Sequence, residues 1–207
     1  MGKAIERLLP GEIEKRSFEL IAEEMQTCPP QDLRPIIMRV IHTTADFEYE
    51  HQLKFSEGVV ERALNAIRNG ACIVTDTNMV KAGINKAKLR EFGGEVFCFM
   101  ADEDVKEAAE KSGTTRAVAS MNKACKLNRP TIFAIGNAPT ALIHLHELLN
   151  EEKLKPELII GVPVGFVNVE VSKELIVENQ VPYIVAQGRK GGSNVAAAIV
   201  NALLYML

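Results

Sequence analysis

The sequence predicts an α/β fold, a doubly wound and mostly parallel sheet of about five strands with flanking helices and a helical N-terminal preface. From about residue 70 onward, short apolar runs alternate with amphipathic stretches of helical periodicity. The runs are rich in β-branched and aromatic residues at successive positions, which is typical of strands covered on both faces. With 207 residues and no repeat or flexible linker, the chain is expected to form a single domain, residues 1–207.

The predicted strands are residues 71–75, 95–99, 131–135, 158–160 and 182–186. Helices are predicted at residues 115–127, 140–152, 169–178 and 193–206. Right-handed crossovers place such helices on both faces of a parallel sheet. Ligands of doubly wound folds bind beyond the carboxyl ends of the strands, so the loops at that edge are the first candidates for a site.

The first 70 residues carry helical spacing instead. The segment Glu12–Met25 has apolar residues separated by multiples of four. The segment Leu33–Asp46 has them at residues 33, 36, 37, 40 and 41, and Thr44 continues the same spacing. Ser56 is expected to cap a third helix that runs to Asn69 and is ended by Gly70.

Composition excludes several classes of protein. There are 24 basic and 27 acidic residues, a net charge of −3, which disfavours a nucleic-acid binder that works by phosphate neutralisation. The longest apolar run, residues 195–207, is too short to span a bilayer, and the amino terminus has no apolar signal region. The four cysteines are widely spaced without a C-x-x-C motif, so we expect reduced thiols in a cytoplasmic protein.

One face of the second predicted helix carries four groups suited to acid–base chemistry, namely Arg39, His42, Thr43 and Asp46. Their spacing of i, i+3, i+4 and i+7 places them on one strip. An imidazole exchanges protons near neutral pH, and Asp46 is expected to orient the ring or raise its pKa. The alternatives are a solvated polar face or a metal site formed by His42, Asp46 and His51.

Two further helical positions are unusual. Ser17 occupies an apolar stripe, where it either bonds to a backbone carbonyl one turn back or points into a pocket. Arg116 places a cation in the first turn of a helix after Gly113 and Thr115. The helix dipole disfavours a cation there, whereas a bound anion would be held by the guanidinium and by free backbone N–H groups.

Three predicted strands run into small-residue turns, at residues 136–140, 161–168 and 187–193. Such turns expose backbone N–H groups at one sheet edge, and the last also carries Arg189 and Lys190, which indicates a ligand with several negative groups. The sequence has neither G-x-G-x-x-G nor G-x-x-x-x-G-K-[ST], so common nucleotides are disfavoured. Asp76 and Thr77 follow the first strand of this region and are interpreted as caps of the next helix, with Asp76 alternatively part of the site.

Six segments together resemble the precorrin-8X methylmutase family of cobalamin biosynthesis. They are residues 14–18, 39–47, 74–80, 135–142, 161–167 and 188–193. The resemblance implies a homodimer with a parallel-sheet α/β fold, no dissociable cofactor and an isomerase that moves a methyl group from C-11 to C-12 of a tetrapyrrole. The form His42-Thr-Thr-Ala-Asp-Phe47 is closer to the anaerobic members, which convert cobalt-precorrin-8 to cobyrinate.

The resemblance also implies roles for individual residues. His42 matches the proposed proton donor and acceptor, with Thr43, Asp46 and Asp76 in supporting positions. The expected substrate-binding residues are Ser17, Arg39, Thr115, Arg116, Asn137, Gly165, Arg189, Gly191 and Ser193. A flat apolar ring rimmed by carboxylates suits an apolar slot edged with arginines and helix N-termini. No protein-bound metal, nucleic acid or membrane partner is expected.

Three other functions stay open at this point. One is an enzyme that acts on metal-free precorrin-8X to give hydrogenobyrinate, and another is a tetrapyrrole carrier without catalysis. A flavodoxin-like nucleotide-binding module ranks last, because its phosphate-binding signatures are missing. Turnover of an isolated sample separates the enzyme from the carrier.

Overall fold

The structure is a computed structural model that describes residues 7–207. Its centre is one six-stranded sheet with the strand order β1-β6-β5-β4-β2-β3. Strands β2 to β6 are parallel to one another, and β1 pairs antiparallel with β6. The strands are β1 Leu53–Phe55, β2 Cys72–Thr75, β3 Val96–Phe97, β4 Thr131–Ile135, β5 Leu158–Gly161 and β6 Tyr183–Ala186.

Helices precede the sheet and connect its strands. They are α1 Pro10–Glu24, α2 Arg34–Thr44, α3 Tyr49–Gln52, α4 Val59–Arg68, α5 Asn78–Gly83, α6 Lys86–Arg90, α7 Glu103–Ser112, α8 Arg116–Ala124, α9 Pro139–Asn150, α10 Val169–Glu178 and α11 Ser193–Tyr205. The helix predicted at residues 169–178 has the predicted bounds, and the other predicted helices are present with shifted ends. Helices α3, α5, α6 and α7 lie outside the ranges predicted from periodicity. Within residues 7–207, none of the helices is long and apolar enough to cross a membrane.

Separate hydrophobic cores cover the two faces of the sheet. Alternate residues of β4 point to opposite sides: Ile132 belongs to the core that includes residues of α1, α2, α4 and α11, and Phe133 to the core that includes residues of α7, α8, α9 and α10. This pattern confirms the predicted α/β class with strands buried on both faces. Each fully buried Ile, Leu or Phe side chain contributes about 1.5–3 kcal/mol to folding.

The sheet has one strand more than the sequence predicted. Strand β1 is only three residues long, lies within the helical preface and pairs antiparallel with β6. Ser56, predicted as a helix cap, belongs to this pairing, because its Oγ accepts a hydrogen bond of 2.9 Å from the N–H of Tyr183. The cap prediction is therefore wrong: Gly58, with φ of 64°, precedes α4 instead.

Helix α2 buries the predicted stripe but ends early. Ile36, Ile37, Val40 and Ile41 are all buried. The helix ends at Thr44, because Ala45 takes the left-handed conformation with φ of 54°. The chain therefore turns away before Asp46, which does not lie on the helical strip predicted for it.

The loops after β4, β5 and β6 meet at the carboxyl edge of the sheet. The N–H of Gly192 donates to the carbonyl of Val162 at 2.8 Å. A Cβ on Gly136 would lie 2.8 Å from the Cα of Ser193, so these loops touch through their backbones. This edge adjoins the start of α11, the helix that forms most contacts with α2.

Candidate active site

His42 lies in the last turn of α2, with its side chain exposed in a cleft between α2 and α11. The volume of this His42 cleft is about 280 Å³. Helix α2 contributes Arg39, His42 and Thr43 to its wall, and α11 contributes Asn194, Asn201 and Tyr205. The cleft thus combines the imidazole, guanidinium and hydroxyl predicted on one face of α2 with amide groups of α11 that were not predicted.

Aromatic rings from two other helices hold the α2 side chains. The ring of Phe18, on α1, stacks on His42 with centroids 5.1 Å apart and an interplanar angle of 19°. The guanidinium carbon of Arg39 lies 4.8 Å from the centroid of Phe18 and 4.9 Å from that of Tyr205. Stacking of a cation on aromatic faces is favourable by about 0.5–1 kcal/mol at partly exposed sites. Phe18 and Tyr205 therefore position the two candidate functional groups.

A second cleft, of about 390 Å³, lies on the other side of Arg39. Phe18, Pro35, Met38 and Met206 give it a mostly apolar lining, and Arg34 adds a second guanidinium. We call it the Arg34 cleft. Arg39 and Tyr205 line both clefts, so they form the boundary between a polar and an apolar compartment.

Arg39 also forms an ion pair through Nη1 with Glu14 of α1. The Glu14 side chain is 57% exposed, so the pair is solvent-screened and contributes little to stability. An exposed pair of this kind leaves the guanidinium able to bind another carboxylate.

Two hydroxyl groups of the predicted site bond within their own helices. Ser17 Oγ donates to the carbonyl of Ile13 at 2.8 Å, and Thr43 Oγ1 donates to the carbonyl of Arg39 at 2.9 Å. Each oxygen keeps lone pairs that can accept a hydrogen bond from a ligand. Ser17 precedes Phe18 on α1, and Thr43 lines the His42 cleft.

Asp46 has a different role from the one predicted. Its Oδ2 is bonded to Lys190 Nζ, and its Oδ1 accepts the N–H of Glu48 at 3.0 Å. Within residues 7–207 it forms no hydrogen bond with His42, so the prediction that it orients the ring is wrong. A metal site with His51 finds no support either, because the described part of the chain has no cluster of three His, Cys, Asp or Glu side chains able to hold a metal ion.

Asp76 supports the loop between β4 and α9. Its buried carboxylate accepts the N–H groups of Gly136, Asn137 and Ala138 at 3.0, 2.8 and 2.6 Å. Burial raises the pKa of Asp76, and these three hydrogen bonds oppose that shift. Asp76 thereby fixes the backbone that presents the exposed Asn137.

The helix after Asp76 is capped by the next residue. Thr77 Oγ1 accepts the N–H of Val80 at 3.1 Å, so the predicted cap of α5 is confirmed for Thr77 and wrong for Asp76. The same hydroxyl lies 2.9 Å from Ser193 Oγ at the start of α11. Ser193 is therefore held at the carboxyl edge, beside the loop that Asp76 fixes.

The β6–α11 loop joins this edge to the His42 cleft. Its cationic side chains are already paired, Arg189 with Glu170 at 3.2 Å and Lys190 with Asp46 and Glu48. The N–H of Gly165 donates to the carbonyl of Arg189 at 3.2 Å. Gly191 has φ of 156° and would clash with the carbonyl of Val162 if it carried a Cβ, so a glycine is required there.

Thr115 and Arg116 lie apart from these groups. Thr115 caps α8 by accepting the N–H of Val118 at 3.3 Å, and Arg116 is exposed at the first helical position. Helix α8 packs on the face of the sheet opposite to α2. Within one chain, the structure does not bring Arg116 to the His42 cleft.

Comparison with known proteins decides the family. The sequence model described as "CbiC: Precorrin-8X methylmutase" matches residues 12–206. The chain belongs to the precorrin-8X methylmutase family. The family resemblance predicted from six short segments is thereby confirmed over nearly the whole chain.

Individual methylmutases are similar in sequence and in fold. The chain is 46% identical to the cobalt-precorrin-8 methylmutase of Priestia megaterium over 94% of its own length and 87% of that protein. It is 37% identical to the precorrin-8X methylmutase of Pseudomonas aeruginosa, covering 92% and 93% of the two chains. A crystal structure of precorrin-8x methyl mutase from Thermus thermophilus superposes with a TM-score of 0.88 at 40% identity, covering 95% of each chain.

This methylmutase is therefore an isomerase of cobalamin biosynthesis, with a six-stranded, mostly parallel α/β fold. The predicted fold class and enzyme class are both confirmed. The flavodoxin-like nucleotide-binding module and the carrier without catalysis lose their support, because the matched family is one of mutases.

Proposed function

We propose that this methylmutase acts on cobalt-precorrin-8 and moves the methyl group at C-11 to C-12, which gives cobyrinate. The single observation that carries the proposal is the exposed His42 imidazole, which lies in a cleft beside Arg39. The cobalt form is favoured because the relative with 46% identity is named for it, whereas the relative named for precorrin-8X has 37%.

His42 is the proposed proton donor and acceptor. A proton given by its imidazole to a ring nitrogen makes the conjugated system more electron-poor, which eases migration of the methyl group. The C-11–methyl bond breaks as the C-12–methyl bond forms, and the proton returns to His42 afterwards. General acid–base catalysis of this kind contributes about 10²–10⁴-fold to a rate. The stacked ring of Phe18 limits the orientations that the imidazole can take.

The two clefts fit the proposed substrate by their chemistry. The Arg34 cleft offers apolar surface to a macrocycle, and the Arg39 guanidinium between the clefts offers donors to a peripheral carboxylate. Ser17, Asn137, Gly165, Gly191 and Ser193 are proposed as further contacts. Arg189 is also proposed as a substrate contact, and its ion pair with Glu170 must break before it binds the substrate.

The proposed reaction needs no dissociable cofactor. Methyl migration within one molecule consumes no electrons or external group, so cobalt enters only as part of the substrate. We propose a cytoplasmic enzyme, and the free thiols of Cys28, Cys72, Cys98 and Cys125 suit a reducing compartment.

We further propose that the enzyme is a homodimer in which Thr115 and Arg116 of one copy complete the cleft of the other. The support is the exposure of Arg116 on a helix across the sheet from His42. The variants His42→Ala and Arg116→Ala, assayed at a substrate concentration at which neither alone shows turnover, test this when they are mixed and allowed to exchange subunits. Random exchange restores one intact site in each mixed dimer, or about a quarter of wild-type activity. No recovery would place both residues in a same-chain site.

The substrate is tested by anaerobic incubation of the purified enzyme with cobalt-precorrin-8 and, separately, with precorrin-8X. Absorbance spectra and product identification give the outcome. Faster conversion of cobalt-precorrin-8 supports the proposal, whereas faster conversion of precorrin-8X would assign the metal-free reaction. Binding of both without conversion of either would overturn the catalytic role of His42.

A further inference from the structure

Lys173, in the middle of α10, is a buried ammonium group with an unusual pair of partners. Its residue exposure is 2%. Nζ donates to the backbone carbonyls of Gly188 and Lys190 at 2.7 and 2.8 Å, both in the β6–α11 loop. Burial of an ammonium is costly unless its hydrogen bonds are satisfied, so these contacts tie the loop firmly to α10.

These contacts determine which way the loop peptides face. All peptide bonds of the described chain are trans. In a trans peptide the C=O of one residue and the N–H of the next point in opposite directions. The carbonyls of Gly188 and Lys190 point to Lys173, so the N–H groups of Arg189 and Gly191 point away from it. Within residues 7–207, neither of these N–H groups donates to another protein group.

The loop also lies next to the His42 cleft. Asn194, which lines that cleft, directly follows Ser193 at the start of α11. Lys190 Nζ is bonded to Asp46, just beyond the end of α2. The side chains of Arg189 and Lys190 are paired with carboxylates of the protein, whereas the N–H groups of Arg189 and Gly191 have no acceptor in residues 7–207 and so are available to an anion without breaking an ion pair.

We propose that Lys173 is a positioning residue, which holds the β6–α11 loop so that the N–H groups of Arg189 and Gly191 bind a carboxylate of the substrate. This inference rests on the proposed function, because a tetrapyrrole with peripheral carboxylates supplies the anion. Lys173 acts through the loop and does not touch the reacting atoms. Its positive charge behind the loop adds to the attraction of an anion in front of it.

The charge of Lys173 makes the effect dependent on pH. Burial lowers the pKa of Lys173 to about 8, and Glu170 on the same helix opposes that shift. The other titratable groups around it are Glu174 and Glu178 of α10, Arg189 and Lys190 of the loop, and His146 of α9, which contacts Leu175 of α10. A bound carboxylate favours the charged ammonium, so affinity for the anion must fall as pH rises through about 8.

The test measures two constants for the wild type and for Lys173→Met. They are the KM for cobalt-precorrin-8 and the Kd for its product, cobyrinic acid. In the wild type we expect both constants to rise about fivefold from pH 7 to pH 9 as the charge is lost. In Lys173→Met we expect both to be about tenfold higher at pH 7 and nearly flat with pH, with kcat within about twofold of the wild type. Lys153→Met removes an exposed lysine and must behave as the wild type.

An unchanged KM and pH profile in Lys173→Met, or a loss confined to kcat, would overturn the proposal. If that variant does not fold, calorimetry of the wild type binding cobyrinic acid at pH 8, in two buffers of different ionisation enthalpy, replaces it. Uptake of a fraction of a proton supports Lys173, and no uptake contradicts it. Turnover by the wild type is measured separately. If the wild type binds the product with the expected pH dependence but does not convert the substrate, the proposed reaction is contradicted and the proposed role of Lys173 is not.

Discussion

The His42 cleft and the loops at the carboxyl edge of the sheet are built in opposite ways. In the cleft, exposed side chains on α2 carry the chemistry, and the rings of Phe18 and Tyr205 hold them. At the sheet edge, backbone groups face outward, and the charged side chains of Asp76 and Lys173 are buried to hold them. The groups proposed to exchange protons or to bind the ligand are therefore accessible to solvent, whereas the buried charges of Asp76 and Lys173 fix the conformation of the loops.

The sheet edge is expected to be the more sensitive of the two to loss of a single side chain. Asp76→Ala leaves three backbone N–H groups without their acceptor, and we expect a loss of about 2–4 kcal/mol in unfolding free energy. Urea unfolding followed by circular dichroism measures it. Asp32→Ala, at an exposed turn, is the matched control and is expected to stay within about 0.5 kcal/mol of the wild type. A stability equal to that of the control would show that the carboxylate does not support this loop.

Substitution of an aromatic ring of the His42 cleft is expected to lower the affinity for the substrate and to leave the stability of the protein nearly unchanged. Tyr205 is 51% exposed, so Tyr205→Leu should barely alter the melting temperature. Loss of the ring frees the Arg39 guanidinium, and we expect KM for the tetrapyrrole to rise about three- to tenfold with kcat nearly constant. Tyr205→Phe keeps the ring and should restore KM. A similar KM in all three proteins would remove Tyr205 from the site.

The smallest expected effect is the pH dependence of stability that Lys173 introduces. Its pKa is about 8 in the folded protein and 10.5 when unfolded, so between these values the unfolded state binds more protons. Unfolding free energy of the wild type, relative to Lys173→Met, must therefore rise with pH over this window, by on the order of 1 kcal/mol. Urea unfolding of both proteins at pH 7.5 and pH 10 measures the difference, in which the other titrating groups cancel. A relative decrease with pH would contradict the buried ammonium.

The spacing of apolar residues along the chain was sufficient to predict most strands and helices of the fold. The apolar runs after residue 70 and the stripe Ile36, Ile37, Val40 and Ile41 are visible in the chain because burial follows periodicity. Strand β1 carries no such signal, because three residues are too few for a period and only pairing with β6 makes them a strand. Asp46 was misplaced because a single left-handed residue, Ala45, ends the helix before it.

Site residues could be predicted to lie together only where a single helix contributes them. Arg39, His42 and Thr43 share a face of α2, so their spacing brings them together. Phe18 and Tyr205 reach them from helices near opposite ends of the chain, and such contacts leave no mark in local spacing. Lys173 sits in an amphipathic helix, where a lysine is normally exposed, so its burial against the β6–α11 loop follows only from the tertiary structure.

The most direct test of the account replaces His42 by asparagine and follows one batch of cobalt-precorrin-8 through binding and a single turnover. An asparagine keeps a polar side chain in the cleft but cannot give up a proton to a ring nitrogen. We predict a Kd within about threefold of the wild type and a rate of methyl migration lower by about 10²–10⁴-fold. A variant that binds weakly yet rearranges its bound substrate at the wild-type rate would contradict the account, because His42 would then hold the substrate without taking part in the reaction.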